Sequence, residues 1–263
     1  MNDAESDRLC WGTLTRLPVK PPGVIDKRTA SGAMLSAPMV GAVLGIVTGG
    51  VAWGIWLIKP DTAGALLAAV ISLALLAWLT RAIHLDGLAD TADALGSGKP
   101  ADEALAIARK SDIGPFGVIT LVFVLLIDIA ALTVCITSNE AMFSMVIALV
   151  AGRLMLPIAC MRGIKAARPD GLGATVADSV PRGLLAAVLI GWTAIIGIVA
   201  AAVSGWDDIP VIVITIACMF GGLACGVITL LIARKRLGGI TGDVLGAVVE
   251  IATAGSLVLL ALT

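Results

Sequence analysis

The chain has 263 residues, of which 59% are hydrophobic and only 14% charged, with a mean hydropathy of +1.03. A soluble domain is about 45–50% apolar and about 25% charged, and surface-to-volume scaling prevents a larger core from absorbing the excess. A soluble globular enzyme is therefore excluded in favour of an integral membrane protein. Aromatic residues at 4% with no Tyr argue against the aromatic girdles of a β-barrel, and a formal net charge of −1 supplies no field for nucleic acid.

In chain order, the first 32 residues are polar, with no apolar run and no expected signal peptide. A spanning helix needs about 20 mostly apolar residues. Seven such stretches follow: Ala33–Ile58, Ala63–Thr80, Phe116–Thr137, Ala141–Met161, Leu184–Val203, Val211–Ala233 and Val244–Leu262. The first contains Pro38 and several glycines, which membrane helices tolerate. The second is short, and is read as tilted or as continuing into the polar segment behind it. Of the 18 Lys and Arg residues, all but Lys59 fall in the N-terminal segment or in alternate loops, with Arg153 of the fourth span counted with the loop that follows it. That asymmetry predicts a cytoplasmic N-terminus and an outer C-terminus. The expected architecture is all-α: a single polytopic domain over residues 1–263, about seven transmembrane helices, and a polar cytoplasmic segment over residues 1–32. The protein is expected in the cell inner membrane or plasma membrane. The five cysteines show no CxxC spacing, and four lie in apolar stretches, so they read as packing residues.

The predicted inner loops carry the polar chemistry. Behind the second span the chain reads His84-Leu-Asp86-Gly87-Leu-Ala-Asp90-Thr91-Ala-Asp93. On a helix, Asp86, Asp90 and Asp93 fall within an arc of roughly 60°. Like charges on one face repel, and a cation relieves the repulsion. Mg²⁺, a hard ion that takes carboxylate and phosphate oxygens, is the natural choice; a solvated acidic face is the plainer alternative. His84, the only histidine, could be a general base, a metal ligand or a hydrogen-bond partner.

Before the seventh span, Arg234-Lys-Arg236-Leu-Gly238-Gly239-Ile-Thr241-Gly242-Asp243 combines three cations, three glycines and a carboxylate. Glycines admit close backbone approach to a phosphate, cations neutralise it, and a helix start attracts anions. Basic residues at this edge also serve as ordinary topology signals. Glu250, seven residues after Asp243, lies on nearly the same helical face, inside a span where a carboxylate is costly. Asp128, in the third span, has no motif around it. Two further segments, Lys110-Ser111-Asp112-Ile-Gly114-Pro-Phe-Gly117 and Ala167-Arg168-Pro-Asp170-Gly171-Leu-Gly173, pair charge with glycine turns that could close over a ligand or simply connect helices.

Leu14-Thr-Arg16-Leu-Pro18-Val, the His84–Asp93 run, Arg168-x-Asp170-Gly171-Leu-Gly173 and Gly238-Gly-Ile-Thr241-Gly242-Asp243-x-Leu-Gly246-Ala occur in an order that resembles the cobalamin synthase (adenosylcobinamide-GDP ribazoletransferase) family. The resemblance covers nearly the whole chain. One departure stands out: an Asp-Ser-Arg-type segment usual in that family is matched here by Lys110-Ser111-Asp112, so no catalytic role is carried to Lys110 or Asp112.

The resemblance implies attack by the 5′-hydroxyl of α-ribazole, or of its 5′-phosphate in its place, on the cobinamide-proximal phosphorus of adenosylcobinamide-GDP. GMP leaves and adenosylcobalamin or its 5′-phosphate forms, with Mg²⁺. The expected catalytic set is His84, Asp86, Asp90, Asp93 and Asp243. The expected metal set is Asp86, Asp90, Asp93, Asp243 and Glu250. Substrate and phosphate binding is expected at Arg168, Asp170, Arg236, Gly238, Gly239, Thr241 and Gly242. The expected surroundings are the lipid bilayer, without nucleic acid; a homo-oligomer or association with other cobalamin-assembly enzymes is compatible with this reading. Two alternative readings fit the sequence less well. A CDP-alcohol-type phosphotransferase making a phospholipid would need Asp-Gly-x-x-Ala-Arg, whereas Leu-Ala-Asp-Thr follows Asp86-Gly87. A membrane transporter or assembly subunit would favour mid-membrane charges and inverted repeats, whereas the polar residues here cluster at one edge.

Overall fold

The computed structural model describes residues 3–23, 25–110 and 112–263; Ser111 of the Lys110–Asp112 segment lies outside them. The described residues form eleven helices: α1 (Asp3–Leu14), α2 (Lys27–Ile58), α3 (Thr62–Leu79), α4 (Ile83–Gly96), α5 (Ala101–Ile107), α6 (Pro115–Thr137), α7 (Ala141–Ala159), α8 (Gly171–Val176), α9 (Arg182–Ser204), α10 (Ile209–Leu237) and α11 (Gly242–Ala261). No strand occurs among them; two isolated parallel bridges join Met161 to Val180 and Ala166 to Ile240. Seven of the helices, α2, α3, α6, α7, α9, α10 and α11, are long and apolar enough to cross a membrane. They coincide with the seven spans expected from the sequence, in a multi-pass membrane protein.

The ends differ where capping chemistry overrides hydropathy. α2 starts at Lys27 because the Asp26 side chain accepts the Thr29 N–H at 2.7 Å. α10 runs through Arg234-Lys-Arg236 to a left-handed Gly238 at φ 81°. The third helix does not continue into the acidic segment. Arg81 and Ala82 adopt left-handed φ values of 57° and 53° and break the chain into a separate α4. Within the polar N-terminal segment, the described residues include a packed helix. α1 buries Leu9, Cys10 and Leu14, and Arg81 Nη2 donates to the Gly12 and Thr13 carbonyls at 2.9 Å each. Arg16 donates back to the Trp78 carbonyl and stacks over the Trp78 ring, 4.9 Å from its centroid. The Leu14–Pro18 motif therefore ties α1 to the α3–α4 corner.

α7 and α11 are mostly enclosed, whereas α9 and α6 turn most of their apolar side chains outward, as lipid-facing helices do. α2 crosses α7 through Gly41, Gly45 and Gly49. A Cβ at Gly45 or Gly49 would lie 2.6 Å from a backbone Cα of α7, so only glycine permits this approach. The alternating helix directions bring α1, α4, α5, α8, the N-terminus of α11 and the segment at 160–181 to one end of the bundle, while short turns near 59–61, 138–140 and 205–208 close the other.

Candidate active site

The two acidic motifs meet at the crossing of α4 and α11. A Cβ on Gly87 would lie 2.7 Å from the Asp243 carbonyl oxygen, and one on Gly246 would lie 3.0 Å from the His84 carbonyl oxygen. Glycine at both positions lets the helices touch backbone to backbone. Leu88, Val124, Ala247 and Ala254 form a small apolar cluster that binds α4 to α6 and α11 from the buried side. Asp86 is left exposed, and Asp90 and Asp243 are half-buried.

Charge is unbalanced on this face. Partial burial, followed by the neighbouring Asp86, Asp243 and Asp93 carboxylates, pushes Asp90 up to about 6; Arg168 opposes the shift. Arg168 Nη2 binds Asp243 Oδ2 at 3.0 Å in a largely enclosed ion pair. The same oxygen accepts the Thr241 hydroxyl at 3.1 Å, and Thr241 Oγ1 in turn accepts the Val244 N–H at 3.2 Å. Thr241, rather than Asp243, is thus the N-cap of α11. Asp243 stands in the first turn with Oδ1 free of protein partners among the described residues.

The other expected site residues divide between this face and elsewhere. Asp93 belongs to the same acidic stripe but is buried; its oxygens accept the N–H groups of Gly114 at 2.7 Å and Gly117 at 2.9 Å, capping α6 from outside the helix. Gly173 packs against Thr241, where a Cβ would lie 2.7 Å from its Cα, so the Arg168–Gly173 motif abuts the Gly238–Asp243 motif. Asp170 instead pairs with Arg109, whose Nη2 donates to both of its carboxylate oxygens. Gly238 closes α10, Gly239 is buried against the 165–167 backbone, and Gly242 contacts Leu172. Arg236 is exposed in the last turn of α10 without an ion-pair partner among the described residues.

His84 and Glu250 lie deeper. Glu250 is seven residues along α11 from Asp243, about 10 Å farther into the bundle. His84 Nδ1 lies 3.9 Å from Glu250 Oε1, and both side chains are buried. Burial, with the charge of Arg153 adding to it, holds His84 well below its usual range, so the imidazole is neutral. Arg153 of α7 and Asp128 of α6, 1% and 2% exposed, complete this inner group. Gly152 packs against Val249 and Thr253 and brings α7 close to α11, while the Arg153 guanidinium has no hydrogen-bond partner among the described residues. Sequence reasoning missed Arg153, counting it only as an orientation signal; its place inside an apolar run was the available clue.

The donor chemistry of the outer face suits a hard divalent cation: hard oxygen ligands, excess negative charge, and one arginine beside them. Among the described residues no three His, Cys, Asp or Glu side chains already converge on one point, so the carboxylates line an open face rather than a closed cage.

Residues 7–261 match the family model described as cobalamin-5-phosphate synthase. The chain is 34% identical over 261 residues to the adenosylcobinamide-GDP ribazoletransferase of Frankia casuarinae, covering 97% of this chain and 94% of that one. It is 37% identical to the enzyme of that name from a Nocardioides species, covering 95% of each chain. It is 35% identical to that of Ectopseudomonas mendocina, covering 97% of this chain and 98% of the relative. No solved structure matches. With nearly its full length matched and both acidic motifs meeting in space, the chain belongs to the cobalamin-5-phosphate synthase family.

Proposed function

We propose that this protein is an adenosylcobinamide-GDP ribazoletransferase whose reaction takes place on the outer face of the α4–α11 crossing. The observation that carries the reading is the backbone contact at Gly87 and Gly246, which sets Asp86 and Asp90 beside Asp243 and Arg168. A ribose hydroxyl of α-ribazole other than the 5′ one, which stays free to carry the phosphate of the alternative acceptor, forms a bond through its oxygen to the cobinamide-proximal phosphorus, the bond from that phosphorus to the GMP oxygen breaks, and GMP departs. Phosphoryl transfer of this kind depends mainly on positioning and charge stabilisation.

Asp86, Asp90 and the free oxygen of Asp243 would hold Mg²⁺, which when bound neutralises charge on the diphosphate. Asp93, engaged by the α6 amides, holds α4 in register rather than serving first as a ligand. Arg168 orients Asp243 and adds a cation at the rim. A carboxylate of this face accepts the proton of the attacking hydroxyl, since His84 is enclosed and directed toward Glu250. The α-ribazole 5′-phosphate is accommodated as an alternative acceptor by the same face.

Turnover of adenosylcobinamide-GDP and α-ribazole by the purified protein, with and without Mg²⁺, tests the proposal. Product without GMP release, or no product with folded protein, overturns it. The alternating Lys and Arg distribution supports a cytoplasmic position for this face. Labelling of Ser97→Cys in a cysteine-free background from the outer side of intact cells would exclude that orientation.

A further inference from the structure

A second recess adjoins the carboxylate face. It is an open hollow of about 450 Å³ lined by Lys165, Arg234 and Lys235 together with Gly163, Leu231, Gly238 and Gly239. None of the residues lining it is acidic, and none of the three cations is in an ion pair among the described residues. The cations come from two separate segments. Arg234 and Lys235 end α10, where cations offset the helix's own terminal carbonyls. Lys165 belongs to the segment after α7 and has no such role.

The two segments are fixed to each other by the Ala166–Ile240 bridge. Ala167 N–H donates to the Ile240 carbonyl at 2.9 Å, and Ile240 N–H donates to the Lys165 carbonyl at 3.0 Å. A Cβ on Gly239 would lie 2.5 Å from the Lys165 carbonyl oxygen, so glycine is what lets the segments close. This bridged pair is also the partition between the two sites. Lys165, Gly238 and Gly239 face the recess, whereas Arg168, Thr241 and Asp243, a few residues farther along the same segments, form the rim of the carboxylate face.

We infer that the recess binds a phosphate ester. Three uncompensated cations converging on a glycine-walled hollow satisfy a phosphate without a desolvated acid competing for them. The two sources of that chemistry at this edge are the guanylate portion of the nucleotide donor and an anionic lipid headgroup. The first rests on the transferase reading; the second does not.

The test is lysine acylation followed by mass spectrometry, on the intact protein in nanodiscs of neutral phosphatidylcholine. Saturating GMP is expected to slow acylation of Lys165 and Lys235 about fivefold, with Lys20 and Lys99 unchanged and inorganic phosphate protecting at higher concentration. Protection by phosphatidylglycerol nanodiscs, and not by GMP, assigns the ester to a lipid headgroup. Lys165→Ala is expected to weaken the protecting ligand roughly tenfold, with Lys165→Arg restoring it. No protection in any arm overturns the inference. Because protection is read without turnover, an inactive protein that GMP still protects would refute the transferase reading and leave the recess standing.

Discussion

The α4–α11 crossing carries two polar groups, one above the other, built from the same kinds of residue. The outer group, Asp86, Asp90 and Asp243, is open or half-buried and has Arg168 as its neighbouring cation. The inner group, His84, Asp128, Arg153 and Glu250, is enclosed by α4, α6, α7 and α11. The outer acids repel one another and favour a ligand of opposite charge. In the inner group all four side chains are buried, and the Arg153 guanidinium has no hydrogen-bond partner among the described residues. The two levels thus differ in access and in charge balance, although the residue types are the same.

The largest effects should separate these two levels through turnover. Asp86→Asn, Asp90→Asn and Asp243→Asn are each expected to lower kcat about 100-fold or more without lowering the melting temperature, because lost charge stabilisation in phosphoryl transfer is worth several kcal/mol. The Asp90→Asn/Asp243→Asn double variant should lose less than the product of the single losses, since both carboxylates serve one unit. Full multiplicativity would place them in separate sites. Asp93→Asn should instead show much of its effect as lowered stability, because its carboxylate caps α6.

For the inner group the expectation is reversed. Arg153 and Glu250 form no ion pair within 4 Å, but the charge of Arg153 still acts on Glu250, so Arg153→Met leaves a buried acid with no compensating cation, which costs several kcal/mol. The melting temperature should fall steeply, and adding Glu250→Gln should recover most of it. Turnover per folded molecule should change far less than in the Asp90 variant. An Arg153→Met/Glu250→Gln protein that regains stability but remains catalytically dead would show that the inner group belongs to the reaction.

Much of this arrangement was legible in the sequence because two signals are strong: the apolar length of a span, and repeated motif spacing. The seven spans followed from the first. Hydropathy missed α1, whose amphipathic surface is too weak to register, and it misplaced the starts and ends that Asp26 and Gly238 set by capping. Helical spacing placed Asp86, Asp90 and Asp93 together, and the structure brings Asp243 to them. Spacing alone could not distinguish the open end of α11 from its interior, so it could not show that Asp243 is half-buried and Glu250 buried. Nor could it show that Thr241 would spend its hydroxyl on the cap or that Asp170 would pair with Arg109, since both outcomes depend on tertiary partners.

A smaller effect follows from the titration of Asp90. Its carboxyl is raised to about 6, above the usual carboxylate range. The folded state therefore holds its proton more tightly than the unfolded chain does. Without a divalent cation, this group makes stability fall as pH rises from about 4 to about 6, and the penalty is complete above that window. A bound cation removes the penalty but must compete with the proton at lower pH. Added Mg²⁺ should accordingly raise the melting temperature at pH 7.5 by more than it does at pH 5.5. Equal shifts at both values would detach the cation from Asp90.

The smallest effect concerns two charged residues on one short segment. Arg168 is mostly enclosed and bound to Asp243, whereas Asp170 is exposed and paired with Arg109 across a solvent-accessible gap. An exposed ion pair contributes little, because water and salt screen it and two long side chains must be ordered to make it. The Arg168–Asp243 pair sits beside the repelling carboxylates, where its charge is less screened and fixes the orientation of a reacting group. Arg168→Ala should therefore lower kcat more than tenfold, whereas Asp170→Asn should change kcat and KM by less than about twofold and do so less at higher salt. The two variants, measured side by side at low and high ionic strength, test whether proximity to the outer carboxylates, rather than membership of the motif, decides which charge matters. A loss at Asp170 as large as that at Arg168 would mean that the segment closes onto substrate and that the Arg109 pair opens when it does.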